Sequence, residues 1–148
     1  MLKLPAHLQE QIEAHGATAY PYEGCGLLLG QHDNGDNVVA ALYPVENRWE
    51  VEEERRVRFQ ITPEDMLQAE LTAMRQDLDI VGIFHSHPDD QPVASARDLA
   101  WATWPGYSYL IIEVREGQPG DSRSWQLRPD RSGFWEEEIK IRPTEGRS

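Results

Sequence analysis

The apolar residues of this chain come in short runs, and the length of these runs limits the fold more than any other feature. The longest runs are residues 27–29, 80–84 and 109–112. A helix that crosses a bilayer needs about 20 consecutive apolar residues, so these runs predict no membrane span. They have the length of buried strands, and stretches with helical spacing lie before and between them. The pattern predicts an α/β or α+β domain, in which helices flank a mixed sheet.

Three stretches are predicted to be helical. The first covers residues 4–19, in which apolar residues recur at a spacing of four at Leu4, Leu8 and Ile12. The second begins at Thr62, an N-cap residue that is followed by a proline and two acids. Its core-facing stripe is predicted to consist of Leu67, Leu71, Met74 and Leu78. The third starts near Ser95 and runs to about residue 104.

The strands are predicted at residues 25–30, 38–43, 57–61, 80–84, 107–114, 124–127 and 134–141. The Asn34-Gly35 pair between the first two favours a tight hairpin turn. Residues 46–56 are dominated by charge, which predicts a solvated loop or an exposed edge that is open to contact with a substrate. No linker divides the chain, so residues 1–148 are expected to form one domain with a frayed tail at 143–148.

The charge balance argues against one class of partner. The chain has 14 Lys and Arg residues against 26 Asp and Glu residues, and its formal charge of −12 does not suit a nucleic-acid backbone. Only Lys3 and Lys140 are lysines. This depletion is compatible with adaptation to high salt and equally with an ordinary acidic cytosolic protein, and the sequence leaves both open.

The lone cysteine limits the chemistry further. A single residue, Cys25, excludes a disulfide framework and a zinc site of the CxxC type. A nucleophilic role for Cys25 with His85 is conceivable, but an isolated cysteine is more often a small core residue. The first residues lack the basic and then apolar pattern of a secretion signal, so a cytoplasmic location is expected.

A pair of histidines follows the apolar run 80–84, in the order His85-Ser86-His87-Pro88. In an extended chain, residues two apart project to the same face with Cα atoms about 6.5–7 Å apart, so two imidazoles can converge on one metal ion. Asp98 lies three residues after Ser95, so a helix capped by Ser95 would carry Asp98 in its first turn. Three protein ligands with an open fourth position are the arrangement of catalytic zinc.

The Ser95 and Asp98 pair alone does not indicate a metal, because this spacing is also an ordinary capping motif. Thr62 and Asp65 have the same spacing without a histidine pair beside them. Only the combination of Asp98 with the two histidines favours a metal site.

Hydrolysis at such a site also needs a base. The glutamates at 50–54 lie in the segment that is predicted to be solvated, whereas Glu23 stands alone directly before the apolar run at 25–29. A carboxylate at the mouth of a buried strand is partly desolvated and becomes a better proton acceptor. By chemistry alone, Glu23 ranks first among the candidate bases.

These residues resemble the JAMM (MPN+) family of zinc metalloproteases. His85-x-His87-Pro88, six residues, then Ser95-x-x-Asp98 matches the family motif in full. Residues 22–30 look like the glutamate-bearing strand of the small bacterial branch of that family. The resemblance extends from the first helix to the strand at 109–113. It implies an α/β sandwich of the cytidine-deaminase-like kind that holds one zinc ion per chain.

The resemblance also implies a role for each residue of the motif. His85, His87 and Asp98 would bind zinc, Glu23 would be the general base, and Ser95 would stabilise the oxyanion. The implied activity is cleavage of an amide or isopeptide bond at the Gly-Gly tail of a ubiquitin-like sulfur-carrier protein, with cysteine or a lysine side chain as the leaving amine. The stretch at 46–56 is short compared with the insertions of the eukaryotic ubiquitin-cleaving members, which puts polyubiquitin in doubt as a substrate.

Other interpretations stay open at the level of sequence. They are a scaffold subunit without activity, a cysteine hydrolase that uses Cys25, and a zinc amidase that acts on small or peptidoglycan-type peptides. Deamination is excluded, because its zinc site needs a Pro-Cys-x-x-Cys pair and the chain has one cysteine. The oligomeric state is left open.

Overall fold

The short apolar runs form the strands of one eight-stranded sheet. A computed structural model of the chain describes residues 1–95, 98 and 106–143. Its helices are α1 (Ala6–Ala19) and α2 (Pro63–Arg75), and a 3₁₀-helix covers Glu52–Arg56. Its strands are β1 (Leu2–Pro5), β2 (Cys25–Asp33), β3 (Asp36–Val45), β4 (Asp79–Pro88), β5 (Ser108–Arg115), β6 (Gln118–Leu127), β7 (Phe134–Glu137) and β8 (Ile139–Arg142).

The strand order in the sheet is β7-β6-β5-β4-β2-β3-β1-β8. β1 is parallel to β3 and β8, β4 is parallel to β5, and the other neighbouring pairs are antiparallel. β7 and β8 lie at opposite edges, although only Glu138 separates them in the chain. Since one residue spans at most about 3.6 Å, the sheet curls until its two edges approach each other at Glu138.

α1 and α2 cover opposite faces of the sheet. Side chains alternate along a strand, so Leu27 of β2 packs on one face and Leu28 on the other. α2 covers the first face with Ala69, and α1 covers the second face with Leu8 and Ile12. The prediction of a mixed sheet flanked by helices is confirmed.

Several local predictions are also confirmed. Asn34 and Gly35 turn the β2–β3 hairpin with φ values of 52° and 87°, the left-handed conformations that a two-residue hairpin turn requires. Thr62 caps α2, because its Oγ1 accepts a hydrogen bond from the N–H of Asp65 over 3.1 Å. Most of the charged stretch at 46–56 is exposed.

The predicted start of the first helix is wrong. Leu2–Pro5 form β1, so Leu4 is buried in a strand and α1 begins only at Ala6. Residues 134–141 form two strands where one was predicted, because the chain passes from one edge of the sheet to the other at Glu138. β1 pairs with β8 from the opposite end of the chain, so the local sequence did not indicate that residues 2–5 form a strand.

The predicted strand at 57–61 is also wrong, because these residues belong to no strand. Phe59 and Ile61 are buried in the core, as the alternation suggested, but Val57 is 47% exposed. The N–H of Gln60 donates to the side chain of Asn47 and not to a neighbouring strand. The alternation at 57–61 therefore indicated that Phe59 and Ile61 are buried, but these residues do not pair as a strand.

The prediction of which residues of α2 pack on the sheet is wrong. Ala69 and Ala73 face the sheet and are buried, whereas Leu67 is 53% and Met74 is 68% exposed. Leu71 and Leu78 are half-buried. The small alanines let the helix lie close to the sheet, so the larger apolar residues do not mark its inner face.

Part of the predicted third helix lies outside the described residues. The structure describes Ser95 and places Asp98 in a helix, while residues 96–97 and 99–105 lie outside. Residues 144–148 of the predicted frayed tail lie outside as well. Within the part of the chain that is described, no helix has the length and apolar character to cross a membrane.

Candidate metal centre

β4 contains both histidines, so the strand continues past the predicted run at 80–84 to Pro88. It lies in the sheet between β2 and β5. His85 and His87 are two residues apart in this strand and therefore point to the same face. Their Nε2 atoms lie 3.1 Å apart, and the two residues are only 3% and 5% exposed.

Asp98 approaches the two imidazoles from outside the sheet. Its Oδ1 lies 3.2 Å from Nε2 of His85, and its Oδ2 lies 3.5 Å from Nε2 of His87. Zinc bonds of about 2.0–2.1 Å at tetrahedral angles would separate neighbouring ligand atoms by about 3.3–3.4 Å. The separations and the two-nitrogen, one-oxygen donor set therefore fit a zinc ion.

Contacts outside the centre fix the two rings. Nδ1 of His87 lies 2.7 Å from the carbonyl oxygen of Gln91. Since a carbonyl only accepts, this Nδ1 carries the proton, and Nε2 of the neutral ring presents its lone pair. His85 stacks on Phe59 with ring centroids 4.6 Å apart. Neither Gln91 nor Phe59 was identified from the sequence, because no motif spacing marks them.

Burial and mutual contact set the charges of the three groups. Burial lowers the pKa of His85, and the charge of Asp98 opposes this only in part. Burial also acts to lower the pKa of His87, but hydrogen bonds with Asp98 and Gln91 lead to a raised pKa. Burial acts to raise the pKa of Asp98, but its contacts with His85, followed by those with His87 and the N–H of Ser95, hold that pKa well below its usual range. Asp98 is therefore a carboxylate and His85 is neutral, which are the forms that bind metal ions.

Glu23 lies beside the histidines, two residues before β2 begins. It is 5% exposed. One of its carboxylate oxygens lies within 4.8 Å of a ring nitrogen of His85 and of a ring nitrogen of His87. The carboxylate is therefore placed to take a proton from a water molecule at the same centre.

Ser95 forms a capping box with Asp98. The N–H of Asp98 donates to Oγ of Ser95 over 3.2 Å. The N–H and hydroxyl of Ser95 donate to Oδ2 of Asp98 over 2.7 and 2.9 Å. These bonds hold the carboxylate in the orientation that faces the histidines.

A narrow crevice of about 50 Å³ leads to the centre. It is lined by Glu23, Arg56, Val57, His87, Pro88, Asp90 and Ser95. The structure thus brings the five residues that the sequence singled out into one place. Arg56 and Asp90 were missed as wall residues. The charged run at 46–56 indicated an exposed segment open to a substrate, and Arg56 belongs to it. No sequence pattern marks a single acid such as Asp90.

Cys25 does not have the properties of a nucleophile. It is fully buried opposite His85 in the β2–β4 register. Burial, followed by the charges of Glu23 and Asp65, raises the pKa of Cys25 to about 12. A reactive cysteine needs the opposite shift, because the thiolate is the nucleophile. Cys25 is a core residue, as the sequence favoured.

Comparison with known proteins decides the family. A family model described as prokaryotic homologs of the JAB domain matches residues 5–128. The chain belongs to this family. A protein of Haloferax volcanii named desampylase is 39% identical over 114 residues, which are 74% of this chain and 78% of the relative.

Two more relatives have descriptive names. A probable TtuB-protein conjugate cleaving protease of Thermus thermophilus is 30% identical over 70% of this chain and 65% of its own. A CysO-cysteine peptidase of Mycobacterium tuberculosis is 24% identical over 86% of this chain and 83% of its own.

Solved structures share the fold. The solution structure of a protein from Salinibacter ruber has a TM-score of 0.75 and 47% identity, and the match covers 96% of this chain and 92% of that one. A structure described as a JAMM metalloprotease-like zinc site in the proteasome and signalosome has a TM-score of 0.59 at 19% identity and covers 96% and 98%. The expected JAMM fold is confirmed.

Proposed function

We propose that this protein is a zinc peptidase that hydrolyses an amide or isopeptide bond at the C-terminal Gly-Gly tail of a ubiquitin-like sulfur-carrier protein. One observation carries the proposal. The Nε2 atoms of His85 and His87 lie 3.1 Å apart, and each faces one oxygen of Asp98, over 3.2 and 3.5 Å. The buried Glu23 lies beside them. The names of the Thermus and Mycobacterium relatives support cleavage of a protein conjugate or of a cysteine adduct.

Each residue of the centre has a task in this reaction. Nε2 of His85, Nε2 of His87 and the carboxylate of Asp98 would hold zinc. When bound there, zinc supplies a Lewis acid that polarises a carbonyl and lowers the pKa of water toward about 7. Glu23 takes a proton from water as the water oxygen bonds to the scissile carbonyl carbon. Glu23 then gives this proton to the leaving nitrogen as the C–N bond breaks, which yields a free amine and the carboxylic acid of the tail. The acid then loses its remaining proton to solvent at neutral pH.

Ser95 would stabilise the charge that develops on the carbonyl oxygen. Its hydroxyl now donates to Oδ2 of Asp98, and its N–H donates to the same oxygen. The hydroxyl can therefore turn toward a substrate oxygen while the N–H continues to hold Asp98. A donor of this kind is worth about 10²–10³ in turnover.

The size of the crevice supports a glycine tail. Its volume of about 50 Å³ is small, since pockets for drug-sized ligands usually have about 300–1,000 Å³. Val57 and Pro88 line it together with the charged Arg56 and Asp90. An extended Gly-Gly segment has no side chain to collide with such walls.

The proposal is tested by measuring zinc content together with cleavage. The substrates are a sulfur-carrier protein whose terminal glycine is joined to a lysine side chain, and the same protein joined to cysteine. The wild-type protein is expected to hold one zinc ion and to release the free tail from at least one of them. Cleavage of neither substrate by the zinc-loaded protein would contradict the proposal.

Two variants test the assigned roles. Glu23→Gln should keep zinc and lose about 10²–10⁴-fold in turnover, because it removes the base and leaves the metal ligands in place. His87→Ala should lose zinc as well. Full activity in the first variant rules out Glu23 as the base, and unchanged zinc content in the second shows that the ligand set is wrong.

The same assay separates the other interpretations. A scaffold would keep no zinc and cleave nothing, and a small-peptide amidase would cleave short Gly-Gly peptides as fast as the protein substrate. A cysteine hydrolase would resist chelators and be inhibited by thiol alkylation, which the raised pKa of Cys25 opposes.

A further inference from the structure

Glu23 lies in the connection between α1 and β2, outside the regular hydrogen bonding of either element. Nevertheless, each backbone polar group of Glu23 and Gly24 has a partner. The N–H of Glu23 donates to the carbonyl of Arg55 over 2.7 Å, and its carbonyl accepts from Nδ2 of Asn47 over 2.9 Å. The N–H of Gly24 donates to Oγ of Ser86 over 2.8 Å, and its carbonyl accepts from the N–H of Ser86 over 3.0 Å.

Asn47 is the amide that joins Glu23 to the charged segment. Besides the carbonyl of Glu23, its Nδ2 donates to the carbonyl of Arg58 over 2.8 Å. Its Oδ1 accepts from the N–H groups of Trp49 and Gln60 over 3.1 and 3.3 Å. These four bonds use both donors and both lone pairs of the amide. The three bonds to Arg58, Trp49 and Gln60 fix the side chain of Asn47, and the fourth holds the backbone of Glu23.

Ser86 joins Glu23 to the strand of the histidines. It lies between His85 and His87, points to the opposite face of β4 and is 1% exposed. A Cβ atom added to Gly16 of α1 would come within 3.2 Å of Cβ of Ser86, so the helix packs directly on this serine. The strand that places the two imidazoles thereby also fixes the backbone next to Glu23.

We propose that Asn47 and Ser86 are positioning residues, which set the Glu23 carboxylate relative to His85 and His87. Neither touches the reacting atoms in this arrangement, and both act through the Glu23–Gly24 backbone. The inference rests on the proposed function, in which Glu23 moves the proton. A misplacement of about 1 Å can cost about 10²-fold in rate, so loss of either anchor reduces turnover without removing a catalytic group.

The chain offers a matched control for Asn47. Asn47→Asp removes both donors of the amide and keeps its acceptor position. Asn37 is a buried asparagine at the far end of β3, and its Nδ2 donates to the carbonyl of Gly106 and to Oγ of Ser108 over 2.9 and 2.8 Å. Asn37→Asp removes a bond to a backbone carbonyl and introduces the same negative charge far from Glu23. Ser86→Ala tests the second anchor independently.

The measurements are kcat, KM and zinc content, together with hydrogen exchange of the Glu23 amide in the zinc-free protein. Asn47→Asp and Ser86→Ala should each lower kcat by about 10–100-fold with KM within about twofold of wild type. Zinc content should stay at the wild-type value, and the Glu23 amide should exchange faster. Asn37→Asp should lower Tm but keep kcat and the exchange rate of Glu23.

The outcomes are separable. Unchanged kcat in both folded anchor variants overturns the proposal, as does an equal fall of kcat in Asn37→Asp, which would indicate general destabilisation. If one anchor variant does not fold, the other decides. If the wild-type protein cleaves neither substrate, the proposed function fails, and the exchange rate of the zinc-free variants alone decides whether Asn47 and Ser86 anchor Glu23.

Discussion

Two capping motifs of this chain have the same spacing and different surroundings. Thr62 and Asp65 begin α2, and Ser95 and Asp98 stand at the metal centre. In both, the N–H of the aspartate donates to the hydroxyl of the cap residue, over 3.1 and 3.2 Å. The carboxylate of Asp65 meets the exposed Arg48 over 3.0 Å, whereas the carboxylate of Asp98 meets two buried histidines.

The difference shows that the motif fixes the local cap and not the chemistry. In both places the Ser/Thr-x-x-Asp segment caps the N-terminus of a helix. What the aspartate does beyond this depends on the side chains that other elements bring to it. β4 brings imidazoles to Asp98, and the loop after β3 brings a guanidinium to Asp65. Parallel substitutions in the two motifs therefore isolate the contribution of the histidines.

The largest effect is expected from the two aspartates. Asp98→Asn should abolish zinc binding and turnover, because a neutral amide replaces the one anionic ligand. The loss in metal affinity should exceed the roughly 10–100-fold that follows removal of a group that only supports a ligand. Asp65→Asn should leave both unchanged. Metal analysis of the purified proteins checks this, and equal zinc contents in the two variants would contradict the assignment of Asp98.

The two cap residues should differ in what they affect. Ser95→Ala should lower kcat at saturating zinc by about 10²–10³-fold, the effect of a lost oxyanion donor. Thr62→Ala should keep kcat and lower the free energy of unfolding by about 1 kcal/mol, the usual value of an N-cap. Kinetics and urea unfolding of both variants provide the measurement. A Ser95→Ala enzyme with normal kcat would reduce Ser95 to a capping residue.

Acid should act on the zinc-free protein through Asp98. The pKa of this carboxyl is lowered in the folded state, while its unfolded value is about 3.9. Its contribution to stability is therefore complete above the unfolded pKa and is lost as the pH falls through the folded-state pKa. Urea unfolding at acidic pH should show a shallower loss of stability in Asp98→Asn than in wild type. Identical slopes would mean that Asp98 is not engaged with the histidines in solution.

The smallest effect is expected from salt on the Arg48–Asp65 pair. The two side chains are 48% and 16% exposed, so added salt should screen their attraction. A double-mutant cycle with Arg48→Ala and Asp65→Ala should give a small coupling that falls further in molar KCl. A coupling that grows with salt would contradict this. Melting of the wild-type protein over the same range tests adaptation to high salt, which predicts a Tm that rises with KCl.

The sequence predicted the fold class and singled out residues that lie together in the structure, while the roles of these residues stay predictions. A histidine pair, an aspartate at capping distance and a lone glutamate are marked by residue type and short spacing, and they come together in the structure. Asn47 and Gln91 could not be found in this way. Asn47 bonds to the carbonyl of Glu23, which lies 24 residues away in the chain. Gln91 contributes a backbone carbonyl, which its residue type does not mark.

The errors in the fold have the same origin. The inner face of α2 was assigned to its larger apolar residues, yet the close approach to the sheet selects Ala69 and Ala73. β1 and β8 pair with each other from opposite ends of the chain. The spacing of apolar residues indicates the type of a helix or strand. It does not indicate which other segment that helix or strand packs on or pairs with.

By itself, the sequence determined that the chain forms a mixed sheet with amphipathic helices, and it determined which side chains are able to bind a metal. The tertiary structure decided that β4 presents His85 and His87 to Asp98 and that the sheet curls until β7 and β8 meet the same residue. It also decided that Asn47 bonds to the backbone of Glu23 and Ser86 to the backbone of Gly24. The reason is physical. Turns and caps depend on interactions within a few residues, whereas the convergence of a site depends on strand register and packing between segments far apart in the chain.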